Sequence, residues 1–225
     1  MREQNVIAID GPSGSGKSTV AKLIASDLGH LYIDTGSMFR ALALGLIELN
    51  TNLDDENDIK GDLQKIGIEY RGEKDELIFL NGNNVTDSIR RHHVSDAASK
   101  ISQYKCIRDQ LKFYQRDLAK KNICVLEGRD IGTVVFPGAK LKVFLTASDK
   151  VRAQRRFDDL RSRGTLGDIT MEKILSDIIA RDTRDSNREI APLKPADDAK
   201  ILDTDNMSIE QVVSHITTLS KEIFK

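Results

Sequence analysis

The chain has 225 residues, enough for one substantial α/β core with an insertion, and its formal net charge is -1 although 31% of its residues are charged. This balance disfavours a bulk nucleic-acid or anionic-membrane binder, which usually has a basic excess. The two cysteines form neither a metal-binding pattern nor a disulfide framework, and there is no signal peptide, lipidation motif or run of 18 apolar residues. We therefore expect a cytoplasmic protein without nucleic-acid or membrane partners.

A glycine-rich loop follows the first predicted strand, Val6–Ile9. The segment Gly11-Pro12-Ser13-Gly14-Ser15-Gly16-Lys17-Ser18-Thr19 fits the pattern G-x-x-x-x-G-K-[ST]. Such a loop turns its N–H groups inward, which needs glycine at positive φ, and the helix predicted from about Val20 adds the partial positive charge of its N-terminus. Lys17, at the exposed mouth of the loop, would reach the β- and γ-phosphates of a nucleoside triphosphate, and Ser18 would ligate Mg²⁺. The alternative is a Gly/Ser turn without function, which is disfavoured because pattern, strand and helix coincide.

The rest of the chain alternates predicted strands and helices, which is typical of a parallel sheet with helices on both faces. The strands are short apolar runs, each followed by a turn and then by charged or helical sequence. Two helices carry apolar stripes at a spacing of 3–4, and the second opens with a capping box from Ser208 to Gln211. In chain order, the further strands are Leu31–Ile33, Ile123–Leu126, Leu141–Leu145 and Lys200–Leu202, and the striped helices are Tyr104–Leu118 and Ile209–Ile223. This is the α/β layout of a P-loop protein.

Two segments interrupt the alternation. Between about residues 49 and 95, a polar stretch precedes strand-like runs at Ile66–Tyr70 and Leu77–Leu80 and an Asn81-Gly82 turn, which predicts a small strand-rich insertion. The segment Arg155–Asp168 is rich in Arg and Gly, and we expect it to be irregular between two helices. Neither segment starts a second core, so a single domain is predicted.

A second charged site is predicted outside the loop. Ligands of open α/β sheets bind beyond the carboxyl ends of the strands, where Asp10, Asp34 and Arg129 are expected. The candidate groups are Arg40 at a helix start, Arg129 beside Asp130 after a strand, Arg155, Arg156, Arg161 and Arg163 in the irregular segment, and Arg181, Asp185 and Arg188 at i, i+4 and i+7 of one helix face. Taken singly, each arginine is better explained as a solvated surface charge, and the Arg181, Asp185 and Arg188 face fits ordinary ion pairing along a helix equally well. Their convergence at strand ends favours an anion site facing the triphosphate.

Several segments together point to one family. They are Ile7–Thr19, Asp34–Arg40, Val94–Ser99, Glu127–Val135, Arg181–Arg188 and Ala191–Ala199. By these segments the chain resembles the bacterial-type cytidylate kinases, P-loop nucleoside monophosphate kinases, nearly end to end. The resemblance implies a three-layer P-loop sandwich with a core at about 1–39 and 96–225, a nucleoside-monophosphate-binding insertion at about 40–95 and a short Arg-rich lid at about 152–168.

The resemblance also implies roles for single residues. It assigns the cytosine ring of CMP to Ser99, Arg108 and Asp130, the acceptor phosphate to Arg40 and Arg129, and the ribose to Asp185 and Arg188, with Arg181 beside them and Thr35 also in the CMP site. Cytosine offers an amino donor and two acceptors, which a carboxylate and an arginine complement, whereas uracil reverses this pattern at positions 3 and 4. Lys17, Arg129, Arg155, Arg156 and Arg163 would neutralise charge during phosphoryl transfer.

Three residues leave alternatives open. Phe39 stands where the family more often has tyrosine, so a hydroxyl near the acceptor is missing. Glu127 either holds a Mg²⁺-bound water or is a buried structural carboxylate. Asp185 either accepts hydrogen bonds from the ribose or is an ion-pair partner of Arg181 and Arg188 on its helix.

The expected activity is transfer of the γ-phosphoryl group of ATP to CMP or dCMP, with Mg²⁺, by a monomeric enzyme. The guanine-specificity tetrapeptide N-K-x-D and its T-K-x-D and S-K-x-D relatives do not occur, which argues against a GTPase. Two alternatives remain: a P-loop kinase for shikimate or another nucleotide, and a module or motor that uses ATP to regulate a macromolecule. The second leaves the arginine site unexplained.

Overall fold

The computed structural model describes residues 4–71, 77–120 and 122–224. Its strands are β1 (Gln4–Asp10), β2 (Leu31–Asp34), β3 (Ile68–Arg71), β4 (Leu77–Leu80), β5 (Asn83–Asn84), β6 (Cys124–Gly128), β7 (Ala139–Thr146) and β8 (Lys200–Asp203). Its helices are α1 (Lys17–Leu28), α2 (Thr35–Glu48), α3 (Glu56–Leu63), α4 (His92–Ile101), α5 (Lys105–Leu118), α6 (Asp149–Ser162), α7 (Met171–Asn187) and α8 (Ile209–Ile223). A 3₁₀ turn at Ser88–Arg90 and a π-helical turn at Ile131–Val135 complete the described elements.

The larger sheet confirms the predicted α/β class. Its strand order is β2-β6-β1-β7-β8, and β7 pairs in parallel with both β1 and β8. In the register of the first pair, Ile7 lies opposite Leu141 and Ile9 opposite Val143. These side chains are almost completely buried, which explains why the strands appear in the sequence as continuous apolar runs.

The chain forms two compact units. The first comprises Met1–His30 and Val125–Lys225, and the second Leu31–Cys124. In the first unit, α8 packs against α1 and β7 with Val212 and Ile216 buried, and the capping box predicted at Ser208 is present. Helices α6 and α7 pack against each other around a small apolar cluster of their own, centred on Ala153, Ile174 and Ile178.

The second unit contains the predicted strand-rich insertion. Strands β3, β4 and β5 form an antiparallel sheet, and the turn between β4 and β5 has positive φ at both Asn81 and Gly82, as the dipeptide predicts. Helix α2 packs against this sheet and against α4 with Met38, Leu42 and Leu46 buried. The unit extends beyond the 40–95 segment on both sides, and the role of that segment stays a prediction.

Two details of the sequence prediction are wrong. The segment from Arg155 is helical as far as Ser162, because its alternating charges pair along the helix, as in the ion pairs of Arg156 and Arg163 with Asp159. Only the turn that follows is irregular, and it begins with Gly164 at a φ of 66°. Arg188 does not continue the α7 face: it is the C-terminal cap residue, with an extended backbone.

Candidate active site

The glycine-rich loop has the backbone that its sequence predicts. Gly11, Gly14 and Gly16 have φ values of 149°, 78° and 87°. At Gly11 a Cβ atom would lie 2.0 Å from the carbonyl oxygen of Leu145, so no side chain fits there. The first turn of α1, all of which is described, carries neither an acidic residue nor a side-chain cap. The N–H groups at this helix start therefore suit an anionic ligand.

Lys17 is not at an exposed mouth, contrary to the sequence expectation. It is only 5% exposed, because its Nζ turns back and donates a hydrogen bond to the carbonyl oxygen of Pro12 at 2.6 Å. Burial, followed by the charge of Arg129, lowers the pKa of Lys17 to about 7, although Glu127 and Asp10 oppose the shift. The ammonium group is thus held inside the loop, in surroundings that favour an added negative charge.

Ser18 and Glu127 form a second pair beside the loop. The Ser18 hydroxyl donates to Oε1 of Glu127 at 2.5 Å, and Glu127 is buried near the end of β6. The Ser18 hydroxyl at the start of α1 and the Glu127 carboxylate near the end of β6 are hard oxygen donors suited to Mg²⁺. This ion is usually bound by one or two protein oxygens together with phosphate and water. Among the described residues, no group of three or more His, Cys, Asp or Glu side chains is arranged to hold a metal. Glu127 is therefore a buried, hydrogen-bonded carboxylate, and its role towards Mg²⁺ stays a prediction.

Arg152 holds the tip of the loop, a role that sequence reasoning missed. Its side chain is 3% exposed, and it donates to the carbonyl oxygens of Ser13 (2.8 Å) and Ala147 (2.9 Å). It also pairs with the carboxylates of Asp149 and Asp182. The only signal in the sequence was one more arginine in an Arg-rich helix, which does not distinguish a buried clamp from a surface charge.

A cluster of opposite charges lies at the end of β6 and α7; we call Arg129, Asp130, Arg181, Asp185 and Arg188 the first-unit cluster. Arg129 Nε donates to Asp185 Oδ2 at 3.0 Å, and Arg188 Nη1 lies 3.6 Å from Asp185 Oδ1. Arg188 Nη2 lies 4.0 Å from Asp130 Oδ1. Burial raises the pKa of Asp185, but the charges of Arg129, Arg181 and Arg188 outweigh it, so the net shift is downward. The structure thus brings these five predicted residues together.

The predicted residues of the second unit form local groups around α2 and α5. Asp34 caps α2 by accepting from the Ser37 N–H, and it pairs with Arg40 at 3.0 Å; burial opposes ionisation of Asp34, but Arg40 and Ser37 bring its pKa below the usual value. Arg108 donates to the Ser102 carbonyl oxygen at 2.6 Å, and its guanidinium carbon lies 5.6 Å from the centre of the Phe39 ring. Thr35 is buried in the first turn of α2.

Two polar atoms of this unit are buried without a hydrogen-bond partner among the described residues: the Ser99 hydroxyl oxygen and Arg40 Nε. A buried polar group without a partner costs about 1–3 kcal/mol, and such groups are rare except where a ligand or water supplies the bond. Both belong to the set that the sequence assigns to an acceptor nucleotide. Phe39 keeps the packing position against Arg108, but it offers no hydroxyl.

Of the predicted lid arginines, Arg155 lies apart from Arg156 and Arg163, which share one carboxylate. Arg155 donates to the carbonyl and hydroxyl oxygens of Thr204, at 2.7 and 3.0 Å, in the segment after β8. Arg156 and Arg163 pair with Asp159 on the half-exposed face of α6 and its end. The structure does not bring these three guanidinium groups together, and their catalytic role stays a prediction.

Over the described residues, no helix combines the length and the apolarity needed to cross a membrane.

Replacing Lys17 by Met should stabilise the protein by up to about 4 kcal/mol at neutral pH, because the lowered pKa of Lys17 shows that its charged form is unfavourable in the folded state. Since folding lowers the pKa of Lys17 from 10.5 to about 7, wild-type stability rises as the pH increases from about 7 towards 10.5. The variant lacks this rise, so its advantage should shrink over the same range. Urea denaturation at several pH values measures both effects; a variant less stable at every pH would contradict the burial argument.

Arg152→Ala should cost about 1–3 kcal/mol of unfolding free energy, because it removes the guanidinium donor from the carbonyl oxygens of Ser13 and Ala147 and from Asp182. Arg156→Ala, on the same helix but with an exposed ion pair, is the matched control and should stay within about 0.5 kcal/mol of wild type. Thermal and urea unfolding of both variants provide the comparison. Equal losses in the two variants would show that Arg152 is not a clamp.

Comparison with known proteins gives the same family that the sequence motifs suggested. The family model for cytidylate kinase matches residues 7–222. The cytidylate kinase of Thermosipho melanesiensis is 45% identical over 216 residues, which cover 96% of each chain, and that of a Geobacillus strain is 44% identical over 99% of each chain. A solved structure of an uncharacterised protein from Eubacterium ventriosum shares the fold at a TM-score of 0.51 and 14% identity, covering 97% of this chain and 99% of that one. This chain belongs to the cytidylate kinase family.

Proposed function

We propose that this protein transfers the γ-phosphoryl group of ATP to CMP and dCMP, giving ADP with CDP or dCDP. The observation that carries the proposal is the first-unit cluster, in which carboxylates and guanidinium groups lie together at the strand ends of a chain that also has a phosphate-binding loop. Membership of the cytidylate kinase family supports CMP as the acceptor. The cytoplasmic location, the monomeric state and the absence of nucleic-acid and membrane partners stay predictions from composition and resemblance.

The loop and Lys17 are proposed to bind the triphosphate of ATP. Three glycines with positive φ and the start of α1 supply inward N–H groups, and Lys17 supplies a positive charge whose own hydrogen bond to Pro12 is within the loop. Binding of an anion should stabilise the protonated form of Lys17, whose pKa is lowered to about 7 in the free protein, because the added negative charge favours the ammonium group. Ser18 and Glu127 would hold Mg²⁺, which when bound neutralises charge on the β- and γ-phosphates.

CMP is proposed to be recognised by charge and hydrogen-bond complementarity. Asp130 would accept from the cytosine amino group, Arg129 would hold the acceptor phosphate, and Asp185 with Arg188 would contact the ribose. Residues of the second unit, Thr35, Arg40, Ser99 and Arg108, are proposed to contribute further CMP contacts. The support for two of them is local: buried polar atoms of Ser99 and Arg40 lack protein partners among the described residues.

The reaction needs no general base, because the attacking phosphate oxygen is largely ionised at neutral pH. Catalysis then consists of aligning two anions and neutralising the charge of a loose transition state. Lys17 and Arg129 are proposed to supply that charge, together with the lid arginines Arg155, Arg156 and Arg163. Closure of the lid would exclude water, which competes with CMP as acceptor.

The proposal is tested by coupled measurement of ADP release with ATP and each of CMP, dCMP, UMP, AMP and GMP, with no other protein or nucleic acid present. We expect release to be fastest with CMP or dCMP. Preference for AMP or GMP, or activity with shikimate alone, would show another P-loop kinase. ATP hydrolysis that no small acceptor stimulates would instead favour a module acting on a macromolecule.

Asp130→Ala should raise KM for CMP and lower the CMP/UMP ratio of kcat/KM, because the partner of the cytosine amino group is removed. Sites that hydrogen-bond their substrate discriminate by as much as ~10⁴ or more, so the loss should be large. The matched control is Asp177→Ala, which removes a carboxylate from the exposed face of α7. An unchanged CMP/UMP ratio of kcat/KM in Asp130→Ala would show that the base is recognised elsewhere.

Asp185→Asn should lower kcat/KM for CMP more than for dCMP, since dCMP lacks the 2′-hydroxyl that the carboxylate is proposed to bind. Loss of a hydrogen bond to a charged group corresponds to about 1.5–3 kcal/mol. The melting temperature should fall as well, because the charge facing Arg129, Arg181 and Arg188 is lost. The ratio of the two substrates is therefore the deciding measurement, and equal losses for CMP and dCMP would leave Asp185 a structural residue.

A further inference from the structure

Asp10 is a buried carboxylate that the proposed reaction does not use. It is the last residue of β1, directly before Gly11, and it is 5% exposed. Burial raises its pKa to about 6 despite hydrogen bonds from two backbone groups and the charge of Lys17, so the ionised form is costly here.

Both oxygens of Asp10 are engaged by one short segment. Oδ1 accepts from the Ile131 N–H at 2.9 Å and Oδ2 from the Gly132 N–H at 2.7 Å. These are the first two residues of the π-helical turn Ile131–Val135. The first N–H groups of a helical turn have no acceptor within it, and a side chain normally supplies one. Asp10 therefore caps this turn from 121 residues upstream in the chain.

The residue in the usual capping position is Asp130, and its side chain does not cap the turn, all of which the structure describes. Aspartate is among the strongest N-cap residues, so Asp130 would ordinarily bind the N–H groups that follow it. Instead, its Oδ1 lies 4.0 Å from Nη2 of Arg188. The two aspartates therefore have different roles. Asp10 accepts the hydrogen bonds of the turn, and Asp130 faces Arg188 within the first-unit cluster.

The start of the capped turn lies against two other side chains. A Cβ atom at Gly132 would lie 3.1 Å from Cδ of Lys142 and 3.4 Å from Oδ2 of Asp10. The Lys142 stem and the Asp10 carboxylate therefore both lie next to the start of the turn.

We propose that Asp10 is a positioning residue: by capping the Ile131–Val135 turn in place of Asp130, it keeps the Asp130 carboxylate available to select cytosine. This inference rests on the proposed function, in which Asp130 binds the cytosine amino group. When the capping carboxylate is lost, Asp130 turns to cap its own helical turn and leaves the base-binding position. Selectivity between CMP and UMP then falls, since the two acceptors differ at the base alone.

The test is the CMP/UMP ratio of kcat/KM in Asp10→Asn, which keeps the size of the side chain but replaces one acceptor by an NH₂ group. Misplacement of a binding group by about 1 Å costs on the order of 10²-fold, so we expect the ratio to fall by about that factor. Any disturbance of the neighbouring phosphate loop affects both acceptors equally and cancels in the ratio. Val135→Ala is the matched control: it weakens the buried end of the same turn and should lower the melting temperature without changing the ratio.

A double variant separates positioning from a general effect. In Asp130→Ala there is no carboxylate to position, so adding Asp10→Asn should lower the ratio no further. Should Asp10→Asn fail to fold, Asp10→Ser removes both carboxylate oxygens from the Ile131 and Gly132 N–H groups and carries the same expectation. A folded Asp10→Asn variant with the wild-type ratio, or a double variant less selective than Asp130→Ala, overturns the inference. Failure of the proposed function looks different, because wild-type protein would then release no ADP with CMP.

Discussion

Two glycines allow the phosphate-binding loop to lie directly against β7 and α6. At Gly11 there is no space for a side chain beside the Leu145 carbonyl, and at Gly14 a Cβ atom would lie 3.1 Å from the Arg152 backbone oxygen. The shape of the loop is therefore set by main-chain contact, and the inward direction of its N–H groups follows from that shape. Arg152 completes the arrangement from the other side by binding the Ser13 carbonyl oxygen.

Around this loop, charged side chains of both signs lie close together and are largely buried. Lys17 lies within the influence of Arg129 and Arg181, and its lowered pKa records that repulsion together with its burial. Asp185 and Glu127 supply the opposing charge, and each has a hydrogen bond that fixes its orientation. Such an arrangement sacrifices stability in the free protein and recovers it when an anionic ligand binds.

The sequence was sufficient for features that depend on local pattern. The loop, the parallel strands and the Asn81-Gly82 turn follow from apolar runs and from residues that favour positive φ, and the structure confirms them. Contacts between residues distant in the chain could not be obtained in this way. The bonds from Asp10 to Ile131 and from Arg152 to Ser13 join segments more than a hundred residues apart, and no spacing rule distinguishes such a side chain from a solvated one.

The burial of Lys17 could not be predicted from the sequence for a different reason. Its position in the motif indicates what the side chain binds, but its exposure depends on the Pro12 carbonyl oxygen and on neighbouring charges that only the folded chain supplies. The same applies to α6: the charges that suggested an irregular segment become ion pairs once they lie three or four residues apart on a helix.

Helices α6 and α7 form a hairpin with its own apolar cluster, attached to the loop by Arg152 at one end and open at the turn of residues 163–170. Leu166 and Ile169 of the turn pack against this cluster, whereas Gly164 ahead of them has a positive φ. Loop-closure entropy grows only slowly with length, so extra residues inserted directly after Gly164 would cost little. Evolution can therefore lengthen or shorten this tip, and change what it reaches, without rebuilding the phosphate site.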